Sequence, residues 1–207
     1  MSHLKKPGRS NGPRRRAALL LVTVAASLTG CVPVIIGGAA LGAAAVYDRR
    51  GPSAVMEDQQ IEFNAMRALE DEPGLKGRGR ISVTSYNYQV LLTGQVRGAA
   101  EQELAAGVVR RMSKVRKVIN EVTIGPDISL PRKSEDVLVT SRAKLALFNV
   151  EVPNFDPTRV KIVTEDGVVY LLGLVSEEEG NAAAEQVRYV PGVKQVVKLF
   201  EYRQPRT

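Results

Sequence analysis

Apolar and polar positions alternate along this chain with two periods, and the sequence of periods occurs twice. From about Glu57 to Glu70, the residues Ile61, Ala65, Ala68 and Leu69 fall on one face at helical spacing. Ile81 to Val96 (ISVTSYNYQVLLTGQV) then alternates as two strands. A helix follows over about Ala99 to Met112, with Leu104, Val108 and Met112 on one side, and Val115 to Ile124 reads as a closing strand. The second pass places a helix over about Asp136 to Phe148 with Val139, Ala143, Ala146 and Leu147 inward, and strands over Val160 to Val175. Ser176 and Glu179 form a capping box that opens a helix containing Ala183, Ala184 and Val187, and a last strand runs from Val193 to Tyr202. The strand pairs superpose without a gap at an offset of 79, Val90, Leu92 and Gly94 matching Val169, Leu171 and Gly173. Asp166-Gly167 accepts the positive φ of a tight hairpin turn, and Asn87-Tyr88 stands at the corresponding place. The fold class is therefore α+β, with two tandem αββαβ units, each a three-stranded sheet packed against two helices. Units of about 70 residues are marginal alone, so the two are expected to pack on each other. Gly94 and Gly173 are expected to mark strand ends where a helix packs closely, and Gly125 to Pro131 (GPDISLP) a semi-stiff linker.

The N-terminal region follows a different pattern. Lys5, Lys6, Arg9 and Arg14-Arg15-Arg16 precede a largely apolar run from Ala17 to Leu28, too short to span a membrane and the right size for the core of an export signal. Leu28-Thr29-Gly30-Cys31 follows at once and resembles the bacterial lipoprotein box. That resemblance implies cleavage before Cys31 and acylation of its thiol, the lipid-anchor site. Two or three acyl chains hold a protein to a bilayer durably, and acylation removes the liability of a lone exported thiol. Val32, in place of an aspartate, implies transfer to the outer membrane, facing the periplasm. Val32 to Asp48 is rich in Gly and Ala and is expected to be a tether at the membrane surface, with Arg49 and Arg50 able to meet lipid headgroups. The expected divisions are a signal peptide at 1–30, a tether at 31–53, a first domain at 54–125, a linker at 126–134 and a second domain at 135–204.

Charge and composition change meaning once the signal is set aside. The formal charge of +7 includes six basic residues before Cys31, where there is no acidic residue. The remainder has 23 basic and 22 acidic residues, a net charge of +1. That balance gives no support for nucleic acid as a partner. The only histidine is His3, so the exported part lacks His-based acid-base catalysis, Ser-His and Cys-His nucleophilic machinery and His/Cys metal sites. No catalytic residue, metal site or cofactor is expected, and the acidic runs Glu70-Asp71-Glu72 and Glu177-Glu178-Glu179 read as solvated helix-end charges.

The phrase Gly-Val-Val-Tyr-Leu-Leu-Gly-Leu-Val (167–175) and the closing Pro191-Gly192-Val193-Lys194-Gln195-Val196 resemble the BON domain. Two such units behind a lipoprotein signal resemble the dual-BON outer-membrane lipoproteins. The resemblance implies a non-enzymatic periplasmic protein that binds anionic, phosphatidylglycerol-like phospholipid through its second domain, gathers at division sites and supports envelope integrity.

The residues themselves single out the leading helix of the second domain. Aligned on the first at an offset of 78, its core positions match, but Gln60, Arg67 and Glu70 become Leu138, Leu145 and Phe148. With Arg142 and Lys144 on the same helix and Arg132-Lys133 before it, these residues form an apolar face with cationic neighbours, suited to shallow insertion into an anionic bilayer. Two other readings stay open. The same face can form the interface with the first domain, or dock an envelope protein partner.

Overall fold

The computed structural model describes residues 48–203, so the expected signal, Cys31 and most of the tether lie outside the described residues. The first domain consists of α1 (Pro52–Asp71), β1 (Gly79–Tyr86), β2 (Gln89–Val96), α2 (Ala99–Arg110) and β3 (Lys117–Ile124). The second repeats the order with α3 (Leu130–Ala146), β4 (Val160–Glu165), β5 (Val168–Val175), α4 (Glu177–Arg188) and β6 (Gln195–Tyr202). In each sheet the middle strand pairs antiparallel with its hairpin partner and parallel with the closing strand, which returns across the helix.

Both hairpins close through two residues of positive φ, Asn87 (51°) with Tyr88 (67°) and Asp166 (47°) with Gly167 (77°), the conformation that matches the twist of paired strands. An aspartate on the leading helix secures each turn. Asp136 accepts the backbone N–H groups of Asp166 and Gly167, both at 2.8 Å. Asp58 accepts those of Asn87 (2.7 Å) and Tyr88 (2.8 Å), with the Ser85 hydroxyl at 2.7 Å. Both aspartates are buried. Helix and hairpin thus hold each other before any apolar contact is counted.

Helix boundaries follow local chemistry. α3 begins at Leu130 rather than near Asp136, because Ser129 caps it by accepting the Arg132 N–H and Pro131 fits the first turn. The supposed stiff end of the linker is therefore helix. α3 ends in a 3₁₀ turn over Leu147–Asn149. The Ser176–Glu179 capping box opens α4 as expected. Gly94 owes its identity to the neighbouring strand β1, and Gly173 to the 3₁₀ turn Pro157–Arg159 that leads into β4, not to the helix that follows either glycine. At Gly94, φ is +117° and a Cβ would lie 2.0 Å from the Arg80 carbonyl oxygen; at Gly173 it would lie 2.7 Å from that of Arg159.

Each domain has its own core between helices and one sheet face. Val90, Leu92 and Val96 pack with Ile61, Ala65 and Val109 in the first, and Val169, Leu171 and Val175 with Val139, Ala143 and Leu147 in the second. The opposite sheet faces bury each other. Tyr86 and Leu91 meet Tyr170 and Leu172, flanked by Ile119, Val163, Leu174 and Leu199. Polar links ring this seam: Arg80 to Glu165 at 2.6 Å, Lys161 to Glu62 at 2.7 Å, and the Asn87 amide to Glu201 at 3.0 Å.

The seam is also clasped by the residues that precede α1. Arg49 forms a two-pronged pair with Glu179 of the second domain (2.5 and 2.7 Å) and donates to the Leu174 carbonyl. Arg50 pairs with Asp58 of the first domain (2.9 Å) and lies 4.0 Å from the centre of the Tyr86 ring. These two cations are committed within the protein, which corrects the expectation that they meet headgroups. Glu179 is likewise no solvated helix-end charge. Burial pushes its carboxyl up, but the Arg49 pair, the Ser176 N–H and Arg159 outweigh this and hold it below the usual range.

Two outcomes follow for stability. Asp58→Ala strands two turn N–H groups and the Ser85 hydroxyl, removes one of the two carboxylates that hold Arg50, and lowers unfolding free energy by about 4 kcal/mol in urea titration, and Asp136→Ala by about 3 kcal/mol; losses under 1 kcal/mol would show that the turns hold without them. Because the Glu179 carboxyl is depressed in the folded state, its contribution is complete above its unfolded value near ~4.3 and is lost as pH falls through the lower folded value. Glu179→Gln therefore weakens the protein at neutral pH and flattens the acid limb of stability measured by denaturant titration below pH ~4.

Candidate functional site

Stacking the sheets turns α1 to α4 outward, and among their residues only polar ones such as Glu62 and Glu179 reach partners outside their own domain's core. On α3 that inner face is Asp136, Val139 and Ala143, continued by Leu147 in the 3₁₀ turn. The outer face carries Leu138, Leu145 and Phe148 at 53%, 68% and 70% exposure. None of the three joins the apolar cluster between the domains, so the reading of this face as the domain interface is overturned: the sheets make that interface. Two residues extend the stripe beyond the sequence reading, Leu130 at 77% exposed and Val137 at 66%. Leu130 precedes the helix start expected from the sequence, and Val137 aligns with Gln59, outside the three replacements that mark the outer face.

The cations divide into free and committed. Arg142 is exposed and donates to the Pro191 carbonyl at 3.4 Å. Lys144 is exposed in the last turn of α3 and forms no ion pair among the described residues. Arg132 does not belong with them. Its guanidinium contacts Asp166 (2.8 Å), Glu135 (2.5 Å) and Asp136 (3.7 Å), and Lys194 joins Asp166 at 2.9 Å. Burial lowers the affinity of Arg132 for its proton, but these carboxylates raise it above the ordinary value, so it is a fixed part of the hairpin tip. The structure thus brings together Leu138, Arg142, Lys144, Leu145 and Phe148 on one exposed helix surface and removes Arg132 from it. Cys31 lies outside the described residues.

The first domain differs at the same place. α1 exposes Met56, Phe63 and Met66, which the alignment of Gln60, Arg67 and Glu70 had left aside. Gln59 and Glu70 lie among them, Gln60, Asn64 and Arg67 lie to one side, and the Arg67 guanidinium sits 5.7 Å from the Phe63 ring centre. On α3, Leu130, Val137, Leu138, Leu145 and Phe148 are exposed on one face with Ser134 and Ser141 among them, so the apolar surface there is larger but not unbroken. Among the described residues no helix is long and apolar enough to cross a membrane, so such a stripe meets its surroundings from the side.

Known proteins carry the same plan. The BON domain model matches residues 57–126 and 139–204. The chain is 36% identical over 190 residues to "Outer membrane lipoprotein DolP" of Haemophilus influenzae, covering 92% of this chain and 97% of that protein. It is 34% identical to the "21 kDa hemolysin" of Actinobacillus pleuropneumoniae over 76% of this chain and 80% of that one. It is 31% identical to "Osmotically-inducible protein Y" of Escherichia coli over 68% and 70%. With two matched copies covering most of the sequence, the chain belongs to the BON domain family.

Proposed function

We propose that the protein is an outer-membrane lipoprotein, anchored through acyl chains on Cys31 and facing the periplasm, that binds anionic, phosphatidylglycerol-like phospholipid through α3 and so supports envelope integrity and cell division. The observation that carries this reading is the exposed stripe of Leu138, Leu145 and Phe148 flanked by Arg142 and Lys144. The outer-membrane assignment rests on the lipoprotein relative and on Leu28-Thr29-Gly30-Cys31.

Magnitudes favour a weak contact made effective by tethering. Shallow burial of three large apolar side chains contributes roughly 1 kcal/mol each at ~25 cal/mol per Å², and each cation near an anionic surface about 1 kcal/mol. A total near 5 kcal/mol holds a free protein poorly. The 16 residues between Cys31 and Asp48 reach at most about 55 Å when extended, whereas the outer surface of a helix packed on a sheet lies only ~20 Å from a sheet-to-sheet seam. The anchoring membrane is therefore within reach of α3, and confinement supplies the effective concentration that affinity alone lacks.

Flotation of residues 44–207 on vesicles tests the reading. The wild type co-floats with anionic vesicles and not with neutral ones, and Leu138→Glu with Leu145→Glu lowers the bound fraction at least tenfold. Both positions are exposed, so the variant keeps its thermal unfolding midpoint within a few degrees. Raising the salt concentration weakens wild-type binding by screening. A wild type that stays in solution, or floats equally on neutral vesicles, contradicts the proposal and turns attention to a protein partner for the same face.

A further inference from the structure

A second exposed aromatic group lies on a different element, next to a turn that packs on α3. α4 ends at Arg188, and Tyr189, its capping residue, is 70% exposed. The tyrosine hydroxyl donates to Glu185 at 2.9 Å, and the Arg188 guanidinium stands 4.9 Å from the ring centre while pairing with Glu185 at 3.0 Å. The acidic group next to the ring is thus offset by its own arginine. The turn that follows presses against α3. The Pro191 carbonyl accepts from Arg142, and a Cβ on Gly192, where φ is +96°, would come within 2.6 Å of Val139 Cγ2 and 3.6 Å of a Glu135 carboxylate oxygen.

Those contacts locate the turn on one flank of α3, the flank of Glu135, Val139 and Arg142. At about 100° per residue, Leu138 and Leu145 come next on that flank, about 40° and 60° beyond Arg142. Lys144 lies on the opposite flank. The segment bearing Tyr189 therefore borders the Leu138–Leu145 half of the apolar stripe. Tyrosine combines an apolar body with a polar tip, a combination enriched at the headgroup level of membranes, where both ends are satisfied. A stripe on a single helix leaves that helix free to roll about its axis on a surface. A contact off the axis stops the roll.

We propose that Tyr189 is an off-helix anchor of the same surface, its ring entering the headgroup layer of an anionic membrane beside Leu138 and Leu145 while Arg142, held to the Pro191 carbonyl, meets phosphate between them. This rests on α3 being the lipid-contacting helix. The anchor fixes the rotational setting of α3 on the membrane.

The absence of tryptophan from the chain makes the test direct. Full-length protein carrying Tyr189→Trp, Leu138→Trp or Phe63→Trp is reconstituted into vesicles of phosphatidylcholine with and without phosphatidylglycerol, and indole emission and quenching by brominated lipid are read. The expected result is a blue shift and quenching at positions 189 and 138 in anionic vesicles only, with position 63 unchanged. Adding Tyr189→Ala to the Leu138→Trp variant then reduces quenching at position 138 several-fold. A response at 138 but not at 189, or no effect of Tyr189→Ala, overturns the anchor and leaves the α3 reading standing. Silence at both positions overturns the α3 reading and the anchor with it, and a response at 189 alone shows contact by some other surface and also overturns it.

Discussion

The structure depends on a single burial. A three-stranded sheet covered by two helices has one face in a core and one face bare, and here each bare face is buried only by the other. Two domains of marginal size thereby share one interface that neither supplies alone. The consequence is visible in β2, every residue of which is buried because helices cover one side and the partner sheet the other. Once the sheets have taken each other, no second apolar layer covers the helices, and an apolar residue on an outer helix face stays in contact with the surroundings.

Polar interactions set the geometry around that seam. Asp58 and Asp136 tie the leading helices to the hairpin tips, so the outer face of α3 is held at a defined angle to the sheet beneath it. Arg49 and Arg50 extend the same system to the root of the expected tether, one reaching each domain. The point from which the chain leaves toward Cys31 is consequently a fixed place on the two-domain body. Arg132, Asp166 and Lys194 consume charge at the second hairpin tip, which leaves Arg142 and Lys144 as the exposed cations of α3, with Lys133 half-buried near its start.

Much of this was legible in the sequence, for stated physical reasons. The repeat at offset 79 located both hairpins, since alternating strands and turn residues are local signals, and Ser176 with Glu179 located the start of α4. The offset of 78 found the inner residues of both leading helices and the three apolar replacements on the outer face of α3. The same alignment pairs Asp58 with Asp136, and that signal went unread because an aspartate in a helix is ordinarily a solvated charge; its use as a turn clamp depends on a hairpin distant in sequence. Glu179 and Arg49 are 130 residues apart, and no local pattern marks such a pair. The sheet-to-sheet interface was masked for a related reason. Leu91 and Leu172 lie within nearly continuous apolar runs, which announce burial on both sides without naming the second partner. Tyr189 was passed over because its importance comes from the turn behind it, packed against α3, and not from its neighbours in sequence.

Sheet stacking leaves the outer face of α3 as the surface proposed to meet anionic lipid. Amide chemical-shift mapping of isotope-labelled residues 44–207 titrated with phosphatidylglycerol in small bilayer discs tests it most directly. Shifts and broadening are expected to concentrate in 130–149 and to spread only to the turn at 189–192, with α1 and the buried strands unaffected. Perturbations centred on α1, or spread through the seam between the sheets, would contradict it.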